Sequence, residues 1–168
     1  MRSVTLKICR RTLVAAGMTL FLVAPVAAKE TVIKEAEVPK PVTETLVRQY
    51  PAAKVDKFEL EEEHGKRLYE ATFRDGNRDI EVKLTPQGEL VEEEEMIAEK
   101  DLPEALRKSF AGSKYGKSKI SKVERVVDLA KKDKKDKKDQ PTFDIKVTDG
   151  GKTVELRYDA TGKLLGTE

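Results

Sequence analysis

Apolar and polar residues alternate strictly in four stretches of the chain. These are Tyr69-Glu70-Ala71-Thr72-Phe73-Arg74, Ile80-Glu81-Val82-Lys83-Leu84, Phe143-Asp144-Ile145-Lys146-Val147 and Val154-Glu155-Leu156-Arg157-Tyr158. A period of two predicts strands with one apolar face and one polar face. The first pair flanks Asp75-Gly76-Asn77 and the second flanks Asp149-Gly150-Gly151, both hairpin signals. Pro86-Gln87-Gly88 and Ala160-Thr161-Gly162 turn into short last strands, and an earlier strand of each set is expected near 55–62 and 120–129. Helical spacing replaces alternation at Val42, Leu46, Val47 and Tyr50, where Pro51 stops the run, and again at Leu102, Leu106 and Phe110, closing at Gly112. Asp101 and Glu104 suggest a capping box there, with Pro103 in the first turn.

The two sets are one pattern written twice. Val38-Pro39, Val42 and Leu46 match Leu102-Pro103, Leu106 and Phe110 at an offset of 64, whereas the alternating strands and the glycines Gly88 and Gly162 match at 74. The register shifts where the second copy carries a run of six Lys and three Asp at 131–139, so the run reads as an insertion into a hairpin of the second copy. The expected fold is α+β: a tandem repeat of one helix plus a four-stranded antiparallel β-meander, with the helix packed on one sheet face. Repeat 1 spans 38–98 and repeat 2 spans 99–168, with the insertion at 131–140. The helices should cover the apolar faces through Tyr69, Phe73, Phe110, Phe143 and Tyr158. Each unit alone has a marginal core, which fusion enlarges. Residues 29–37 read as a flexible lead-in.

The first 28 residues have a different character. A basic stretch (Arg2, Lys7, Arg10, Arg11) precedes the apolar Leu13-Val14-Ala15-Ala16-Gly17-Met18-Thr19-Leu20-Phe21-Leu22-Val23, and Val26 and Ala28 occupy the small-residue positions of a cleavage site. This is the signal-peptide pattern, with the cut expected between Ala28 and Lys29, a periplasmic or secreted product and no stable membrane anchor afterwards. The whole chain has 33 basic and 31 acidic residues. Removing the four basic residues of the leader leaves 29 basic against 31 acidic, a net of −2. The single cysteine, Cys9, goes with the leader, so the exported part has neither disulfide nor thiolate metal site and relies on its core. With no tryptophan and 5% aromatic residues, a base-stacking surface for nucleic acid is not expected.

Several segments then point to a family. Val38-Pro39, the turn Tyr50-Pro51-Ala52-Ala53, the strand Tyr69-Glu70-Ala71, the hairpin Asp75-Gly76 and the closing Tyr158-Asp159-Ala160-Thr161-Gly162-Lys163-Leu164-Leu165 resemble the PepSY-like, β-lactamase-inhibitor-like pattern. That pattern has a "YPGA"-like turn and a "DADGKLL" close. The resemblance covers about 39–168 in two copies. The second copy departs from it, with Gly112-Ser113-Lys114-Tyr115 at the turn and the Lys/Asp insertion. The resemblance implies an exported, non-catalytic module, without cofactor, that binds or inhibits another envelope protein or peptide, often a hydrolase or peptidase.

The residues themselves offer few alternatives. A catalytic nucleophile needs a neighbouring base, and the only histidine is His64, in Glu61-Glu62-Glu63-His64-Gly65 at an expected hairpin tip. That tip, aided by Glu92, Glu93, Glu94 and Glu95, is a weak candidate for a divalent cation; its plain alternative is a solvated loop, since no Asp/Asn-Gly ligand loop accompanies it. The run at 131–139 could meet a polyanion or be a soluble hairpin extension. The candidate partner-binding surface is the polar sheet face: Glu70, Thr72, Arg74, Glu81 and Lys83, then Asp144, Lys146, Thr148, Glu155 and Arg157. It carries no aromatic anchor, which suits salt-sensitive contacts better than a dry interface; the plain alternative is a solvated face.

Overall fold

Every alternating stretch forms a strand, and the strands join in one sheet. The structure, a computed structural model, describes residues 29–63, 66–130 and 140–167. The leader, His64 and the run at 131–139 lie outside the described residues. Nine strands follow one another in chain order, each antiparallel to the next. They are β1 (Lys29–Ile33), β2 (Lys54–Glu63), β3 (Lys66–Asp75), β4 (Arg78–Leu84), β5 (Leu90–Met96), β6 (Lys119–Asp128), β7 (Thr142–Asp149), β8 (Lys152–Asp159) and β9 (Leu164–Thr167). Helix α1 (Lys40–Gln49) lies between β1 and β2, and α2 (Glu104–Gly112) between β5 and β6. Both copies therefore share one sheet, joined where β5 pairs with β6.

Two expectations are corrected. Residues 29–33, expected in a flexible lead-in, form β1 and pair with β2, Ile33 lying opposite Phe58 and packing on the first core. The strand is too short and polar to announce itself; its partner supplies the ladder. A 3-10 turn at Glu35–Glu37 then leads into α1, as one at Glu99–Asp101 leads into α2. Second, no capping box forms at Asp101 and Glu104. Pro103 is the N-cap of α2, without a side-chain cap bond, and Asp101 ends the preceding 3-10 turn. Pro39 does the same for α1. Proline lacks the N–H and its fixed φ sets the chain on course for a helix.

Cross-strand partners share a face, so the register tells where the helices sit. Phe73 pairs with Ile80, Ile80 with Glu95, Glu95 with Arg125, Arg125 with Phe143 and Phe143 with Tyr158. That row crosses both cores, so α1 and α2 cover the same face. Under α1, Val42 and Leu46 meet Ala71, Phe73, Ile80, Val82 and Leu84. Under α2, Leu106 and Phe110 meet Phe143, Ile145, Leu156 and Tyr158. The two cores are separate. Between them lies a charged seam in which the Tyr50 hydroxyl donates to Glu93 at 2.5 Å and Arg78 lies 3.7 Å from both Glu93 and Glu95.

Each helix is also gripped from the turn that ends its meander. Gly88 and Gly162 have φ of +80° and +87°. A Cβ on Gly88 would stand 2.3 Å from the Pro41 carbonyl oxygen, and one on Gly162 would stand 2.7 Å from that of Ala105. Only glycine permits both the left-handed backbone and this approach. Ser109 Oγ adds a hydrogen bond to the Gly162 carbonyl at 2.6 Å.

Candidate interaction face

The opposite face of the sheet has no helix over it among the described residues, and all ten candidate residues lie on it. Glu70 stands opposite Lys83 and Thr72 opposite Glu81 in the β3–β4 hairpin. Asp144 stands opposite Arg157 and Lys146 opposite Glu155 in the β7–β8 hairpin. Arg74 and Thr148 sit at the hairpin ends, Arg74 donating to Asp79 at 2.7 Å. Because the sheet is continuous, the two sets belong to one surface.

The second-repeat half is internally neutralised. Arg157 makes a forked pair with Asp144, at 2.5 to 3.1 Å, the strongest geometry available to these groups. Hydrogen bonding to Asp144 raises the arginine's pKa above its already high value. Lys146 Nζ lies 3.1 Å from Glu155 and 3.8 Å from Glu124, and Lys122 also pairs with Glu124. Asp144 and Glu124 are each only 3% exposed.

The first-repeat half is not. Register places Glu59 opposite Glu70 and Glu81 opposite Glu94, and like charges in that position repel. Lys83 is 3.3 to 3.6 Å from Glu61, Glu92 and Glu94, a single ammonium for three carboxylates. Burial alone would depress that ammonium's pKa, but Glu92, Glu94 and Glu61 outweigh it and hold Lys83 firmly charged. Lys57 pairs with Glu59 at 2.5 Å. Burial, then repulsion from Glu81, pushes the Glu70 carboxyl up to about 8, and a hydrogen bond with Glu59 helps keep its proton. Glu94 is likewise pushed up to about 8 by burial and by Glu124 and Glu81, against the pull of Lys83. Glu61 is 8% exposed, and its Oε2 has no hydrogen-bond partner; neither has the buried Thr72 Oγ1.

Only part of the candidate acidic tip lies within the described residues, and that part is engaged within the face. Glu61 faces Lys83 from within β2, Glu62 pairs with Arg67 at 2.7 Å, and the Glu63 side chain and His64 lie outside the described residues. Glu92, Glu93, Glu94 and Glu95 fall in mid-strand and split between the faces: Glu92 and Glu94 on the open side, Glu93 and Glu95 on the helix side. Among the described residues no group of three or more potential ligands could hold a metal ion. Sequence reading missed Glu59, Glu61, Glu92, Glu94 and Glu124 as members of the face. The available signal was register: Glu59, Glu92, Glu94 and Glu124 each lie opposite a residue already assigned to it, and Glu61 is two residues along from Glu59.

A cavity of about 190 Å³ opens on the other side, between α1 and β2, lined mainly by Leu46, Val47, Tyr50, Val55, Phe58 and Phe73. It is apart from the buried carboxylates. Burial and the bond to Glu93 raise the pKa of Tyr50 well above the ordinary phenol value, keeping it a donor.

Similarity to known proteins agrees with this architecture. The family model described as "Putative beta-lactamase-inhibitor-like, PepSY-like" matches residues 24–92 and 67–166. A "putative periplasmic" protein from Bacteroides eggerthii shares the fold at a TM-score of 0.63 and 21% identity, over 78% of this chain and 88% of that one. A DUF2874 family protein from Bacteroides uniformis does so at 0.62 and 20%, over 77% and 88%. A BLIP-like protein from Bacteroides fragilis follows at 0.58 and 21%, over 77% and 85%. No curated protein matches the chain. No helix among the described residues is long and apolar enough to cross a membrane.

Proposed function

The chain belongs to the PepSY-like family, and from that premise we propose that it is an exported, non-catalytic module whose open sheet face binds a protein or peptide partner in the cell envelope. The partner class that fits is an envelope hydrolase or peptidase, modulated by the contact. The observation that carries the reading is the face itself. The helices lie on the opposite side, and charged side chains dominate the open face in both repeats, with Met96 and Val126 between the two sets at the β5–β6 junction. A sheet face that served only as solvated surface would have no need to bury four acidic side chains, Glu61, Glu70, Glu124 and Asp144, since burying charge is costly. Export is supported by the leader pattern, with cleavage between Ala28 and Lys29 and periplasmic residence, and by the periplasmic description of structural neighbours.

The test is capture from an envelope extract with the wild-type protein and with a variant carrying Glu81→Gln, Lys83→Gln and Glu155→Gln on the face. The wild type should enrich a defined protein that the variant loses and that moderate salt releases, because exposed charge contacts are screened. Failure to enrich any protein at low or moderate salt, or equal enrichment by the variant, refutes the reading.

A further inference from the structure

The two repeats provide internal controls for each other, and they differ at one informative place. In repeat 2, Lys146 stands between Glu124 and Glu155 and pairs with both. The matching positions in repeat 1 are Thr72 for Lys146, Glu59 for Glu124 and Glu81 for Glu155; Lys57 matches Lys122 and keeps the same bond. The scaffold, the register and the carboxylates are thus repeated, while the central ammonium is missing. In its place Thr72 presents a buried hydroxyl without a hydrogen-bond partner. Beside it, Glu70 is 4% exposed, and no lysine or arginine pairs with Glu70 or Glu81 among the described residues. Glu61, 8% exposed on the same face, has no hydrogen bond at Oε2, which lies 3.6 Å from the Lys83 ammonium that it shares with Glu92 and Glu94.

We propose that the place of Thr72 on the open face, neighboured by Glu59, Glu70 and Glu81, is a seat for a lysine side chain of the partner, which restores the ammonium that Lys146 supplies in the second repeat. This rests on the face being the docking surface and names the chemistry it selects. An alkyl ammonium fits because it carries one charge and three donors on a narrow stem; Glu70 and Glu81 adjoin the place, and Lys57, opposite Thr72, shares Glu59 with it as Lys122 shares Glu124 with Lys146 in the second repeat. A bare metal ion is disfavoured, since among the described residues no group of three or more carboxyls could hold one. Neighbouring rows extend the match: residues two apart on a strand are about 6.6–6.8 Å apart, so an extended segment with lysine at alternate positions can set a second ammonium near Glu92 and Glu94.

Seating a cation is linked to proton loss. Glu70 faces Glu59 and Lys57 from β2 and Glu81 and Lys83 from β4, with no element over it among the described residues. At neutral pH it retains its proton. An incoming ammonium favours the ionised form, so binding tightens as pH rises toward about 8.

Calorimetry with the purified protein tests this, using a neutral-capped peptide with lysine at alternate positions, its acetyl-lysine counterpart and cadaverine. The lysine peptide should bind at low salt, several-fold more tightly at about pH 8.5 than at 6.5, and the acetylated peptide should not bind. Thr72→Lys, which fills the seat from within, should weaken binding about tenfold or more while retaining the circular dichroism spectrum. Should that variant fold poorly, Glu81→Gln should weaken the peptide comparably. Binding unchanged in Thr72→Lys or in Glu81→Gln, equal binding of the acetylated peptide, or binding of cadaverine without the peptide would overturn the proposal. Envelope capture that persists while the lysine peptide fails would overturn this inference and leave the docking reading standing; failure of both removes both.

Discussion

Replacing Gly88 with alanine tests how the helices are held to the sheet. Two costs are separable. The backbone at φ +80° is left-handed, which costs an L-residue about 1–2 kcal/mol. The added Cβ would then sit 2.3 Å from the Pro41 carbonyl oxygen and 2.7 Å from its carbon, so turn and helix must part by roughly 1 Å to reach ordinary contact. Pro41 is in the first turn of α1, whose Val42 is fully buried, and such overpacking costs about 1–3 kcal/mol. The sum is about 2–5 kcal/mol. Gly76→Ala is the control, because φ is +63° there but a Cβ would meet nothing within 4 Å, leaving about 1–2 kcal/mol of backbone cost. Urea unfolding followed by circular dichroism should therefore place the Gly88→Ala midpoint below that of Gly76→Ala by about 1 M, taking m as about 1–3 kcal/mol/M. Gly162→Ala should resemble Gly88→Ala, since its Cβ would lie 2.7 Å from Ala105 O and 2.9 Å from Ser109 Cβ. Equal midpoints for Gly88→Ala and Gly76→Ala would show that the close approach is energetically empty and refute the reasoning.

Three other expectations follow from the geometry. Glu70 and Glu94 have folded pKa values of about 8 against an ordinary 4.5, so the native state binds more protons than the unfolded chain between these values. Stability from these groups is then fullest below about pH 4.5, falls as pH rises to about 8 and levels off beyond; denaturation at several pH values checks this, and Glu70→Gln should flatten the fall. Arg157→Ala leaves Asp144, 3% exposed, without its fork and should cost about 2–4 kcal/mol, with Asp144→Ala in the same molecule recovering part of it in a double-mutant cycle. Leu106→Ala, at a fully buried position under α2, should cost about 2–5 kcal/mol in the same assay, and a loss below 1 kcal/mol would contradict the separate second core.

Legibility tracked how local each signal was. β3, β4, β7 and β8 were readable because each has a helix over one face and none over the other, so its own residues record the alternation. β5 was obscured: Glu92, Glu93, Glu94 and Glu95 are polar on both faces because the strand runs through the seam between the two cores, where the helix side is charged as well. β1 was missed since only Ile33 of its five residues packs on the core and its strand character comes from pairing. The open face could be assigned from alternation, whereas the burial of Glu61, Glu70 and Glu124 could not. Their shielding comes from cross-strand neighbours, which a single strand's sequence does not specify.

The duplication explains why the acidic patch sits in the first repeat and reaches the junction. Ile33, the turn Glu35–Glu37, Val38 and Pro39 correspond to Ile97, the turn Glu99–Asp101, Leu102 and Pro103, so β1 stands to β2 as the end of β5 stands to β6. β5 therefore closes one unit and opens the next. Its Glu94 faces Glu81 of the first repeat and is also repelled by Glu124 of the second. Neither unit alone would bring these three carboxyls together. Repeat 2 offsets its share with Lys146 and Arg157. Repeat 1 has Thr72 instead of the first, and commits Lys83, the counterpart of Arg157, to Glu61, Glu92 and Glu94 rather than to Glu70. One scaffold thus yields a half in which every buried acid has its cation and a half in which cations are fewer than acids. A chain built only for stability would gain from placing lysine at both positions. Threonine at position 72 is the feature on which the proposed lysine seat in the first half depends, with Lys146 in the second half as its internal reference.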